Sequence, residues 1–165
     1  MRNGFVLISL TALLFSCITK EVKQEPLAAG LKVSENGHFF AGMDNKPFFW
    51  LGDTGWLLFT KLSREETVEY LDNRAQKGFN VIQASVIHSI PAVNVYGDSA
   101  LVNSDPGEPL LTEGNRFDKP GEYDYWDHID YVIDQAARRG LYMGLVPVWG
   151  SNVRGGRVSR QQAER

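Results

Sequence analysis

Five residues stand where an apolar segment gives way to polar sequence, and their types suit the gripping of a sugar: Asp53, Trp56, Gln83, His88 and Trp149. An indole face packs against the C–H side of a sugar ring, while carboxylate, amide and imidazole groups sort its hydroxyls by hydrogen bonding. The stretches that carry them are Gly52-Asp53-Thr54-Gly55-Trp56, Gln83-Ala84-Ser85-Val86-Ile87-His88 and Pro147-Val148-Trp149-Gly150-Ser151-Asn152. Four of these side chains also have a plainer role open to them. Asp53 can cap the turn at Thr54 or Gly55, Trp56 can pack a core, Gln83 can satisfy an interior backbone group, and His88 can be structural or merely exposed. Trp149, ending an apolar strand just before Gly150, is the clearest of the five.

Other chemistries find little support. His38, His88 and His128 lie far apart without zinc-ligand spacing, and the one cysteine, Cys17, cannot form a disulfide within the chain. No metal and no cofactor are expected. No G-x-G-x-x-G follows an apolar segment, and the nearest approach to a P-loop, from Gly150 to Arg157, has Gly156 where the lysine belongs and Arg157 where the hydroxyl belongs. Asp124, Asp127 and Asp130 fit a helix start, and Tyr123, Tyr125, Trp126 and Tyr131 fit helix packing. With 17 Lys and Arg against 20 Asp and Glu and a pI near 5.6, nucleic acid is not an expected partner.

Positioning the five residues requires a particular order of elements. The 165 residues, 43% hydrophobic, are enough for a core and exclude disordered and low-complexity classes. Leu31 to Ser34 and His38 to Ala41 read as a hairpin about Asn36-Gly37, and Gly42 to Pro47 as a second turn. Phe48 to Gly52 reads as a strand buried on both faces. A capping box at Ser63 and Glu66 opens a helix with Val68, Leu71 and Ala75 on one stripe, and Gly78 ends it. Phe79 to Ala84 is a second strand, followed by a long loop from about Ser85 to Tyr123. Asp124 caps a helix whose stripe is Ile129, Val132, Ile133 and Ala136, Gly140 closes it, and Leu141 to Val148 is a third strand. Ser159 to Gln162 reads as one more helix start. Strand alternating with helix implies right-handed parallel crossovers in an α/β fold, and periodicity leaves open whether the sheet closes into a barrel or is doubly wound.

The amino terminus carries an address. Arg2 followed by the apolar run from Phe5 to Phe15 has the form of a secretory signal, too short to span a bilayer. Leu13-Leu14-Phe15-Ser16-Cys17 resembles a bacterial lipobox, so residues 1–17 read as a lipoprotein signal with Cys17 as the lipidation site and 18–30 as a tether. The expected location is therefore outside the cytoplasm, lipid-anchored to a bacterial membrane at the outer surface or in the periplasm.

Three runs resemble successive signatures of one family: Phe49 to Phe59, Tyr70 to Gln83 and Leu145 to Gly150, with Asn94-Val95-Tyr96-Gly97 fitting its loop after the second strand. The family is that of the apiosidase-like glycoside hydrolases of Bacteroidetes, and the resemblance covers the chain from about Leu31 to Arg165. It implies a (β/α)8 TIM barrel, here an amino-terminal fragment of about three βα units preceded by a hairpin. It also implies hydrolysis of glycosidic bonds in pectic, apiose-containing plant cell-wall polysaccharide. Such a barrel takes about 250 residues, and family members carry their catalytic carboxylates from the fourth strand onward. The chain is accordingly expected to bind an oligo- or polysaccharide through Asp53, Trp56, Gln83, His88 and Trp149 and not to cleave it alone; no catalytic residue is assigned. A non-catalytic glycan-binding surface lipoprotein is the competing expectation.

Overall fold

The computed structural model describes residues 30–155. The expected signal with Cys17, nearly all of the tether, and the helix start at Ser159 lie outside the described residues. Two small sheets and two main helices make up the rest. Strands β1 (Leu31–Val33), β2 (Phe40–Gly42) and β3 (Pro47–Phe48) form an antiparallel sheet in that order. Strands β4 (Gly52–Thr54), β5 (Val81–Ile87) and β6 (Tyr142–Val148) form a parallel sheet in that order. Between β4 and β5 lie α1 (Leu58–Lys61) and α2 (Arg64–Gln76); α3 (Tyr125–Ala137) lies between β5 and β6, and α4 (Gly150–Val153) follows β6. The parallel order with helical crossovers agrees with the sequence reading.

The two long helices begin and end by one device. Ser63 Oγ accepts from the Glu66 N–H while Glu66 reaches back to the Ser63 N–H at 2.9 Å, and Asp124 and Asp127 repeat the reciprocal arrangement at α3. At the far ends Gly78 (φ +83°) and Gly140 (φ +68°) take the left-handed conformation that other residues resist. Phe79 N–H then returns to Arg74 O and Leu141 N–H to Ala136 O, satisfying carbonyls the helix leaves free.

Both helices cover the same face of the parallel sheet. Leu71 and Ala75 from α2, Ile129, Val132 and Ala136 from α3, and Ile82 and Ala84 from β5 are buried in one core. Leu71 and Ala75 are buried on the α2 stripe as expected, while its first member is Thr67 and Val68 is only half-buried. Arg139 ties the helices together, its Nε 2.7 Å from Asp72 Oδ1 and its Nη2 3.3 Å from Oδ2.

Three sequence expectations are corrected. The run from Phe48 to Gly52 is not one buried strand: Phe48 closes the antiparallel sheet, β4 starts at Gly52, and Phe49 between them is 78% exposed. Asn80 explains the break. Its side chain accepts from the Leu51 N–H (2.8 Å) and donates to the Phe49 carbonyl (2.6 Å), holding the strand switch open where a ladder would otherwise continue. Strand β5 begins two residues later than expected and runs on to Ile87, so the loop starts at His88. The hairpin turn is also wider than an Asn-Gly pair, spanning residues 34–39, with Ser34 Oγ donating to Asn36 Oδ1 at 2.8 Å.

Candidate functional site: the carboxyl end of the parallel sheet

Register fixes which side chains share a face. Gln83 lies between Thr54 and Gly144, and its Cγ would be 3.3 Å from a Cβ placed on Gly144. Alternation along a strand therefore sets Gly52, Thr54, Val81, Gln83, Ser85, Tyr142, Gly144 and Val146 on the face opposite the helices. Asp53, Ile82 and Met143 face the helical layer.

Three of the five candidates come together. Trp56, just past β4, and Trp149, just past β6, have ring centroids 5.2 Å apart at 59°. His88, just past β5, lies 5.0 Å from the Trp149 ring at 35°. The residues come from three successive strand ends, so the parallel order alone delivers them to one pole. Backbone bonds hold them there: Ser85 N–H to Trp56 O at 3.3 Å, and Trp149 N–H to Ile87 O at 3.0 Å. The His88 Nδ1 is buried with no hydrogen-bond partner, as are the Ser85 hydroxyl on β5 and the Thr67 hydroxyl on α2. Unpaired buried polar atoms are costly and collect at functional positions.

The other two candidates stand apart. Gln83 lies four residues before the end of β5, about 13 Å deeper along the strand. Asp53 points into the helical layer, where its Oδ2 accepts from the Tyr70 hydroxyl at 2.9 Å and pairs with the Arg74 guanidinium. Burial alone would raise the Asp53 pKa, but the Arg74 and Tyr70 hydrogen bonds outweigh it and hold the carboxyl below its ordinary value. Burial and the bond to Asp53 in turn push the Tyr70 phenol up to about 12. Asp53 thus stands outside the ring cluster: its carboxylate locks β4 to α2.

The loop from His88 to Asp124 is packed rather than loose. Ala92, Ala100 and Leu101 are buried in the core, and Asn94 Oδ1 accepts from the Tyr96 and Asp98 N–H groups, both at 2.9 Å. The Tyr96 hydroxyl accepts from the Arg64 N–H at 2.8 Å, while the Arg64 guanidinium lies 3.8 Å from the Tyr131 ring centroid and 4.6 Å from that of Phe117. Sequence reasoning missed this anchor because Arg64 reads only as the first residue of a capped helix. Tyr125 and Trp126 pack as expected, with the Tyr125 hydroxyl donating to Val86 O and Trp126 Nε1 to Ala100 O. Among the described residues, no three His, Cys, Asp or Glu gather where they could hold a metal ion.

The model of the apiosidase-like catalytic domain matches residues 34–165. The chain belongs to the apiosidase-like family. Two solved structures agree in fold and sequence. One, a glycoside hydrolase, is 40% identical with a TM-score of 0.68 and is matched over 82% of this chain. The other, a glycoside hydrolase family 5 protein from Bacteroides vulgatus ATCC 8482, is 36% identical with a TM-score of 0.69 over 86% of this chain. The apiosidase-like chain covers 29% and 30% of those two proteins. Among curated proteins none matches it. The family and its structural neighbours are of glycoside hydrolase type.

Proposed function

We propose that these residues form three successive βα units of a (β/α)8 TIM barrel, with the sheet face opposite the helices turned inward and the ring cluster at the mouth. The mouth binds plant cell-wall pectic polysaccharide bearing apiose, and glycosidic cleavage is carried by carboxylates from later strands. The reading includes export and lipid anchoring through Cys17, which would set the protein on the membrane where polysaccharide is met. One observation carries it: Trp56, His88 and Trp149 meet at the end of a parallel sheet where α/β enzymes gather their ligands. Indole faces beside an imidazole match the amphipathic surface of a sugar.

Asp53 supports the division of labour between binding and cleavage. It is the only carboxylate on the three parallel strands, and it is committed to Arg74 and Tyr70. Hydrolysis of a glycosidic bond ordinarily takes two carboxyl groups flanking it. By itself, then, the 165-residue chain behaves as a binder. Titration with an apiose-containing pectic oligosaccharide should quench tryptophan fluorescence saturably without releasing free sugar. Absence of binding, or robust sugar release by this chain, would defeat the reading. Palmitate incorporation that disappears in Cys17→Ser tests the anchor separately.

A further inference from the structure

The segment Gly150–Val153, which makes no phosphate loop, has another task. Trp149 is gripped on both sides of its own peptide unit: its N–H donates to Ile87 O at 3.0 Å, and its carbonyl accepts from the Asn152 N–H at 2.9 Å. Asn152 then reaches back across the sheet, its Nδ2 donating to the His88 carbonyl at 3.1 Å. Ile87 and Val148 are the last pair of the β5–β6 register, closed by the bond from Trp149 N–H to Ile87 O, and the Asn152 amide adds a further tie one residue beyond it. The cycle of three bonds joins the end of β5 to the first turn of α4. The His88 and Trp149 rings that it carries lie 5.0 Å apart.

We propose that Asn152 is a positioning residue for saccharide binding, fixing the His88 backbone so that the imidazole lies against Trp149. The proposal rests on the reading of the ring cluster as a sugar site. A surface asparagine that merely satisfies a stray carbonyl could be replaced with no change in the rings. A clamp could not, because ring placement depends on where the strand end is held.

The experiment compares Asn152→Ala and Asn152→Asp with the parent chain, using Trp149→Ala as reference. Asn152→Asp keeps the side-chain size but loses the donor, so it carries the comparison even if Asn152→Ala fails to fold. The NMR shifts of the His88 ring protons report their distance from the indole through its ring current. Both variants are expected to move those resonances toward their positions in Trp149→Ala. Both should also bind an apiose-containing pectic oligosaccharide about tenfold more weakly, about 1.4 kcal/mol. Ring resonances that stay at their parental positions in both variants would overturn the proposal, as would shifted resonances with undiminished binding. Failure of the underlying reading has a different signature: the parent chain binds no oligosaccharide although the resonances move as expected. The clamp would then hold the rings for no sugar, which overturns the proposal as well.

Discussion

Both ends of the parallel sheet are aromatic, and they are built on opposite principles. At the amino end, Trp50 packs 5.9 Å from Phe40 and 6.5 Å from Phe48, and Phe48 meets Tyr142 edge-on at 5.3 Å. Glycine makes the room. A Cβ on Gly52 would lie 3.0 Å from Trp50 Nε1, and one on Gly144 would lie 3.5 Å from Trp50 Cζ2. At the carboxyl end the polar His88 ring lies 5.0 Å from Trp149, and its buried Nδ1 lacks a partner. The first arrangement spends its aromatic surface on closing the sheet by shape. The second leaves hydrogen-bonding capacity unsatisfied beside indole faces, a poor way to gain stability and a good way to recognise a ligand.

If the contrast is real, truncating one tryptophan at each end separates two observables. Trp50→Ala should lower the unfolding free energy by about 2 kcal/mol, below the cost for a fully buried ring because Trp50 is 40% exposed. It should leave oligosaccharide binding unchanged. Trp149→Ala should cost less stability and weaken binding by about thirtyfold or more, as central aromatic anchors do. Urea unfolding and fluorescence titration read the two effects, and equal losses from both variants would erase the distinction. A somewhat smaller effect tests the reassignment of Asp53 to the stabilising machinery. Asp53→Asn should cost about 1–2 kcal/mol at neutral pH, for a charge-assisted pair that is still partly solvated. The folded carboxyl titrates below its ordinary value, so this contribution is complete above pH about 4. It is lost as pH falls through the lower folded pKa. The stability gap between parent and variant should therefore close on acidification, and binding should be spared throughout.

Legibility in the sequence followed the range of the interactions. The caps at Ser63 and Asp124 and the stops at Gly78 and Gly140 were readable because each depends on residues within one helical turn. The meeting of Trp56, His88 and Trp149 was readable because parallel order sends successive strand ends to one pole. The break at Phe49 was not, since it depends on Asn80, some thirty residues away, bonding the Leu51 N–H. The Asp53 pairing with Arg74 and Tyr70 was hidden for a related reason. Strand β4 is only three residues long, too short for alternation to reveal that its middle residue faces the helices. The Asn152 tie was hidden because its partner is the His88 carbonyl, and a backbone acceptor leaves no mark on sequence.

The smallest effects concern two serines that lose the same atom on substitution by alanine and should respond with opposite sign. Ser63→Ala removes the hydroxyl that accepts from the Glu66 N–H at the start of α2, and a lost cap of this kind costs about 1 kcal/mol. Ser85 is 1% exposed and its Oγ has no partner. Removing a hydroxyl that was desolvated without compensation relieves a penalty and leaves only a methyl-sized wall in its place. Ser85→Ala should therefore melt at or above the parental temperature, a gain of up to about 1 kcal/mol. Parallel thermal melts of the two variants give the comparison directly. A drop in Ser85→Ala matching that in Ser63→Ala would mean that the β5 hydroxyl is bonded after all, and the carboxyl end would then be built for stability on the same terms as the amino end.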